Sequence, residues 1–301
     1  EWFNFEKLGI GENDGTVNIE DFRGKVVLVD FWTYSCINCV RTIPHIRAWY
    51  EAYSDQGLVI IGVHTPEFVF ERSASNVQKA MDDLGVTWPV VLDNSFQQWR
   101  AYNNRYWPAK YFIDAEGRIR YFHFGEGEYD TSEKVIRALL DEAGGVSKVK
   151  AAAAVEQKLE SRTAEAYLGF SRSTGFASEE EQVRNQATSY QAAKVPGNGE
   201  WTLSGTWTVK GEYIVPDERG ILELGFNAKN VFLVVETIES EGSIVVNVDG
   251  RPVEDTPDVV DGVLRADESR LYQLVGLPKP GKHILELKVE GNLRLFAFTF
   301  G

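Results

Sequence analysis

Cys36 and Cys39 are the only cysteines in the chain, two residues apart in the run Trp32-Thr-Tyr-Ser-Cys36-Ile-Asn-Cys39. Two sulfurs at this spacing can exchange a disulfide for two thiols, or they can supply half of a tetrahedral zinc site. Zinc needs two further ligands. No third cysteine exists, and the four histidines, His45, His64, His123 and His283, are nowhere paired at ligand spacing. A purely structural disulfide is a poor reading as well, because so short a loop constrains the unfolded chain very little. Redox chemistry is the first reading of the pair, with zinc behind it.

The flanking pattern gives the two sulfurs different tasks. Lys25-Val-Val-Leu-Val-Asp-Phe-Trp32 predicts a central strand buried on both faces, and a helix with Pro44 inside it is predicted from the cysteines to about Ser54. A thiolate at Cys36 faces the unpaired N–H groups and the positive dipole end of that helix, and both stabilise an anion. Cys39, one turn further in, is expected to be more buried and able to resolve a mixed disulfide. Asp30 interrupts the apolar strand six residues before Cys36. A strand-end acid bonded to backbone is the plain reading; beneath a redox pair, a buried carboxylate can instead take the proton from Cys39.

Around these residues the first half alternates strand-like and helix-like segments, the pattern of an α/β layer architecture. Leu58 to Val63 predicts a second buried strand, ended by the turn His64-Thr-Pro-Glu67. A helix is predicted over about Ser73 to Leu84 with Gly85 as its stop, then a short strand in Trp88 to Leu92. Tyr111 to Ile113 and Arg118 to Phe124 predict a hairpin across Asp114-Ala-Glu-Gly117. The last helix is expected to open on a capping box, Asp130-x-x-Glu133, with Val135, Ile136, Leu139 and Leu140 on one face, and to stop at Gly144-Gly145. The expected division is 1–145 for this redox domain, 146–162 for a helical connector and 163–301 for a β-sandwich. The sandwich is read from short alternating segments punctuated by Asp249-Gly250, Lys279-Pro-Gly281 and Gly291-Asn292.

At 301 residues the chain has room for two cores, and no apolar run approaches the roughly 18 residues that a membrane span needs. The formal net charge of -14 argues against nucleic acid or an anionic membrane surface as partner. Glu1, with no initiator Met before it, reads as the start of a processed or excised piece.

Asp30-Phe-Trp32, Cys36-x-x-Cys39, Pro44 and Trp107-Pro108 leading into Tyr111-Phe-Ile-Asp114 together resemble the thioredoxin superfamily over about residues 15 to 143. The added strand and helix between Val63 and Val90 are similar to its TlpA-like branch. Trp32 to Cys39, Val63-His-Thr-Pro-Glu-Phe68 and Asn104-Arg-Tyr-Trp-Pro-Ala-Lys-Tyr111, with the β-rich second half, resemble the extracytoplasmic region of DipZ-type proteins over nearly the whole chain. This resemblance implies a thioredoxin-like domain with a mixed central sheet flanked by helices, then a jelly-roll sandwich similar to carbohydrate-binding modules. It implies that Pro108 is a cis-proline facing the cysteines. It also implies a membrane donor of the CcdA type in the same full-length protein, protein disulfides as substrates, an extracytoplasmic location with a membrane tether, and no cofactor beyond the redox-active disulfide itself.

Trp32, Tyr34, Trp107 and Glu67 are candidates for a substrate groove around Cys36, with packing as the alternative for Trp32 and a surface turn for Glu67. Thr33, three residues before Cys36, fits the Thr-x-x-Cys of thiol peroxidases, but Val29 stands where that motif has proline. In the second half, Trp201, Trp207, Tyr213 and Tyr272 could stack on sugar rings. The parity of Trp201, Leu203, Trp207 and Val209 places the two tryptophans in the core instead. Asn227 and Lys229, on an expected strand-end turn, join Tyr272 as a candidate ligand site. The reading that results is a disulfide reductase using Cys36, Cys39, Asp30 and Pro108, with a glycan-binding protein or a thiol peroxidase as alternatives.

Overall fold

A computed structural model describes residues 1–8, 17–144, 161, 163–192, 194–238 and 242–301. The chain divides into two compact units, Glu1–Gln157 and Lys158–Gly301. The connector expected at 146–162 lies, except for residue 161, outside the described residues.

The first unit runs β1 (Trp2–Phe3), β2 (Val26–Trp32), α1 (Ile37–Tyr53), β3 (Leu58–His64), α2 (Ala74–Leu84), β4 (Val90–Leu92), α3 (Gln97–Ala101), β5 (Ala109–Ile113), β6 (Ile119–Phe124) and α4 (Tyr129–Glu142). Its six strands form one mixed sheet in the order β1-β4-β3-β2-β5-β6. β2, β3 and β4 are parallel because α1 and α2 carry the chain back between them, whereas β5 and β6 reverse through a tight turn. All seven residues of β2 are buried, as its continuous apolar run requires.

Local signals act where they are expected in α2. The Ser73 hydroxyl accepts from Asn76 N–H at 3.4 Å, and Gly85 ends the helix at φ 63°. α4 departs from expectation. It begins at Tyr129 behind Glu128 at φ 50°, so Asp130 lies inside the helix and the capping box does not form. Glu133 turns inward, where one carboxylate oxygen accepts from the Tyr53 hydroxyl at 2.5 Å. β1 and α3 have no counterpart in the sequence reading. α3 is short, and it is started by Asp93, whose carboxylate accepts from Gln98 and Trp99 N–H.

The second unit contains β7 (Ala166–Tyr167), β8 (Ala187–Tyr190), β9 (Trp201–Val209), β10 (Ile214–Thr237), β11 (Gly242–Val248), β12 (Arg251–Pro252), β13 (Val259–Val260), β14 (Val263–Ala266), β15 (Arg270–Glu290) and β16 (Leu293–Phe300). It is one large antiparallel sheet. β10 has β9 as neighbour over Ile214 to Leu224 and β16 over Val231 to Thr237, with bulges around residues 228 to 232 where the exchange occurs. A strand that changes neighbours at a bulge bends the sheet around its core. The core takes Trp201, Leu203, Trp207 and Val209 from alternate positions of β9, all fully buried as their parity predicts.

Candidate active site

Pairing of β3, β2, β5 and β6 lays one row of side chains across the sheet. Gly62 pairs with Asp30, Asp30 with Lys110, and Lys110 with His123. Asp30 and Lys110 are 1% and 0% exposed. Burial pushes the Asp30 carboxyl up to about 6, with the Lys110 charge pulling the other way. The same burial holds the Lys110 amine below its ordinary value, opposed by the charges of Asp30, Cys39 and Glu126. Asp30 Oδ1 has no protein hydrogen-bond partner, while Lys110 Nζ donates to the Gly125 carbonyl at 3.1 Å. A carboxylate in this state is available to a proton.

Beyond β2 the chain turns into α1 at Cys36, which occupies the N-cap position with extended backbone (φ -83°, ψ 113°). Val40 N–H donates to the Cys36 carbonyl at 3.0 Å, closing the first turn of the helix. Both thiols are free. Cys36 keeps 8% exposure against 0% for Cys39, so the Cys36 side chain sits nearly flush with the surface rather than standing out from it. Burial raises the Cys39 thiol well above its ordinary value. The hydrogen bond and charge of Cys36 add to that, and the Thr33 backbone opposes it. Among the described residues no group of three His, Cys, Asp or Glu side chains gathers where a metal ion could sit.

The Trp107–Pro108 peptide is cis. Ala109 pairs with Phe31, so Pro108 stands at the end of β2 that leads to Cys36. Trp107 is half-buried, donates from Nε1 to the Thr65 carbonyl at 3.0 Å and lies 4.1 Å from the ring of Trp99. Trp32 and Tyr34 do not offer ring faces to a groove: they are 2% and 5% exposed and pack on His64. Glu67 is half-buried in the turn after β3, its N–H donating to Glu71. In the second unit Tyr272 is fully buried, its hydroxyl donating to the Glu268 carbonyl, so it leaves the proposed ligand site. Asn227 and Lys229 lie within β10 beside its bulge and not on a strand-end turn; Asn227 N–H donates to Thr163 Oγ1 and Lys229 N–H to the Gly301 carbonyl.

Three residues of this site escaped the sequence reading: Lys110, His64 and Glu71, all 0% exposed. Lys110 had a readable signal, a lone cation in the apolar run Ala-Lys-Tyr-Phe-Ile two residues after Pro108. His64 and Glu71 had none, since their significance depends on what they meet.

A mixed sheet with Cys-x-x-Cys opening a helix, a buried aspartate beneath it and a cis-proline at the adjoining strand end is the arrangement of a thioredoxin-like domain of the TlpA-like branch, and the first unit carries it. Residues 3–122 match the AhpC/TSA family and residues 163–301 the family described as thioredoxin like C-terminal domain. Over 297 residues the chain is 35% identical to protein DipZ of Mycobacterium tuberculosis and of Mycobacterium bovis, a match covering 95% of this chain and 40% of each relative. It therefore spans less than half the length of these curated relatives. The thiol-disulfide oxidoreductase YkuV of Bacillus subtilis is 28% identical over 130 residues, 43% of this chain and 87% of YkuV. A solved thiol-disulfide isomerase from Corynebacterium glutamicum shares 24% identity with a TM-score of 0.39, covering 44% of this chain and 92% of its own.

Proposed function

We propose that the chain is an extracytoplasmic thiol-disulfide oxidoreductase that works as a reductase, passing electrons from a CcdA-like membrane donor to protein disulfides. What carries the reading is the asymmetry of the pair: a reachable Cys36 at a helix start, and a sealed Cys39 above Asp30 and Lys110. The Cys36 thiolate attacks a substrate disulfide, breaking its S–S bond and releasing one substrate thiolate. Cys39 then gives up its proton to Asp30 and attacks the Cys36 sulfur. This releases the second substrate thiolate and leaves a Cys36–Cys39 disulfide, which two electrons and two protons from the donor reopen. Pro108 presents the backbone edge on which the substrate lies. The likeness to the thiol-disulfide oxidoreductase YkuV supports the reaction class.

The test is insulin-disulfide reduction together with the reduction potential of the pair. A potential near those of strong oxidants, about -120 mV, would reverse the direction. The AhpC/TSA match keeps thiol peroxidase as the second reading, and peroxide consumption by the reduced chain at a rate exceeding insulin reduction would favour it. For the second unit we propose a docking or binding module, with a jelly-roll of the carbohydrate-binding type as the finer reading. Of its candidate platform rings, Trp201, Trp207 and Tyr272 are buried and Tyr213 lies under the Arg294 guanidinium, so a sugar would be held by polar groups. Glycan-array binding by the full chain tests this.

A further inference from the structure

The three residues before Cys36 are all held by one segment, the last residue of β3 and the turn that follows it. The Thr33 hydroxyl lies 3.4 Å from His64 Nε2. Tyr34 stacks on His64 with ring centroids 5.6 Å apart and meets Phe70 edge-on at 6.0 Å. Ser35 donates from its hydroxyl to Glu71 Oε1 at 2.6 Å and from its N–H to the same oxygen at 3.4 Å. The other carboxylate oxygen of Glu71 accepts from Glu67 N–H at 2.6 Å and Phe68 N–H at 2.9 Å. One fully buried carboxylate thus ties the turn to the residue adjoining the nucleophile.

The dithiol chemistry has its proton acceptor in Asp30 and does not call on Glu71. The clamp could also be made by an uncharged side chain: a glutamine oxygen would accept from Glu67 and Phe68 while its amide donated to Ser35 Oγ. A buried charge here needs another reason, since burying one is costly unless it is well bonded. We propose that Glu71 is a positioning residue for Cys36, fixing the loop through Ser35 and setting, by its own charge, how readily Cys36 attacks.

Backbone dimensions place the carboxylate within about 8 Å of the Cys36 Cα, since Ser35 N–H is bonded to it. At that range an anion disfavours a second anion in poorly solvated surroundings. Burial, and after it the charge of Glu67, push the Glu71 carboxyl up to about 7, with the bonds from Ser35, Thr33 and Phe68 pulling down. The charge therefore changes across the neutral range. Protonation leaves the clamp intact, because the new O–H donates to Ser35 Oγ while the other oxygen keeps the two N–H bonds. Of the other groups facing Glu71, His64 is held neutral by burial, its imidazole pushed down to about 3, and Glu67 belongs to the same turn. Asp93 stands behind Thr65, whose hydroxyl donates to it at 3.2 Å. Tyr34, Thr33 and Ser35 bring no charge in this range.

The proposal rests on Cys36 being the nucleophile. The test is the rate of Cys36 alkylation by iodoacetamide in the full reduced chain from pH 5.5 to 9, for wild type and Glu71→Gln. At pH 5.5, where wild-type Glu71 is protonated, the two rates coincide; at pH 8 the variant reacts about threefold faster, its loop having lost the like charge. Superimposed profiles, or a ratio that is the same at every pH, would overturn the proposal, the latter by reducing Glu71 to a structural part. Absence of Cys36 alkylation in wild type would instead remove the nucleophile reading. A second measurement does not depend on Glu71→Gln folding. By reciprocity, a fixed negative charge on Cys36, introduced by carboxymethylation with iodoacetate, must move the NMR titration of the Glu71 carboxyl to higher pH than the neutral adduct of iodoacetamide does, and identical titrations would be equally fatal.

Discussion

The two units bury opposite kinds of side chain. In the first, Asp30, His64, Glu71 and Lys110 are at most 1% exposed, and each departs from its ordinary protonation behaviour because of burial. In the second, the buried polar residues among those described are Thr163, Thr202, Asn247 and Thr299, none of them ionisable in the ordinary range, set in a core of aliphatic and aromatic groups. Burying a charge costs stability, and a fold keeps such groups where they do work. The buried ionisable groups are therefore concentrated in the first unit, and the core of the second is apolar.

The comparison can be broken most sharply at the sulfur. Cys36→Ser is expected to abolish insulin reduction entirely, while Cys39→Ser retains attack and accumulates the mixed disulfide, visible by mass spectrometry. In the second unit, Leu285→Ala empties part of the core and is expected to cost about 2–5 kcal/mol of that unit's stability in denaturant unfolding. It should leave the reduction potential unchanged, and a shifted potential would mean that the units are not independent in function. Asp30→Asn removes the carboxyl proposed to take the Cys39 proton and is expected to slow turnover at pH 7 by about a hundredfold, read by single-turnover release of the mixed disulfide.

The smallest effect is in stability against pH, and here the units should differ in sign and slope. The raised Asp30 carboxyl makes ionisation costly in the native state, so its contribution is present below the unfolded value of 3.8 and is lost as pH rises through about 6. His64 acts oppositely: its imidazole is depressed to about 3, so the stability it confers is present above 6.5 and is lost as pH falls toward 3. Glu71, raised from 4.5 to about 7, acts in the same direction as Asp30, so the two carboxyls outweigh His64 and wild type loses stability as pH rises from about 4.5 to 6. Asp30→Asn leaves Glu71 and His64 opposing each other, so its profile is expected to be flatter than that of wild type, the difference between the two growing by up to about 3 kcal/mol over the interval. The second unit, lacking buried charge, should show little slope in the same range; a steep one in calorimetry would refute the contrast.

How much of this was legible beforehand depends on how far apart in sequence the partners lie. The redox pair on a helix start, the all-buried strand before it, the cap and stop of α2 and the hairpin after Pro108 were all readable, because propensity, capping and periodicity act within a few residues. The core face of β9 followed from parity in the same way. The α4 start was misread, since the Tyr53 hydroxyl, 80 residues away, claims the glutamate that a local box would have used. Tyr272 was misplaced for the like reason: its spacing permits a surface ring, and only the folding of the sheet over its core puts it inside.

By itself the sequence placed two cysteines at the start of one helix and ordered their burial, Cys39 deeper than Cys36. Only the tertiary structure decided what surrounds them. The pairing of β2 with β5 sets Lys110 against Asp30 across 80 residues of chain, and the turn after β3 brings the Glu71 carboxylate to Ser35 across 36. Charge, burial and proton affinity are properties of such encounters, fixed by strand register and packing rather than by any local run of residues.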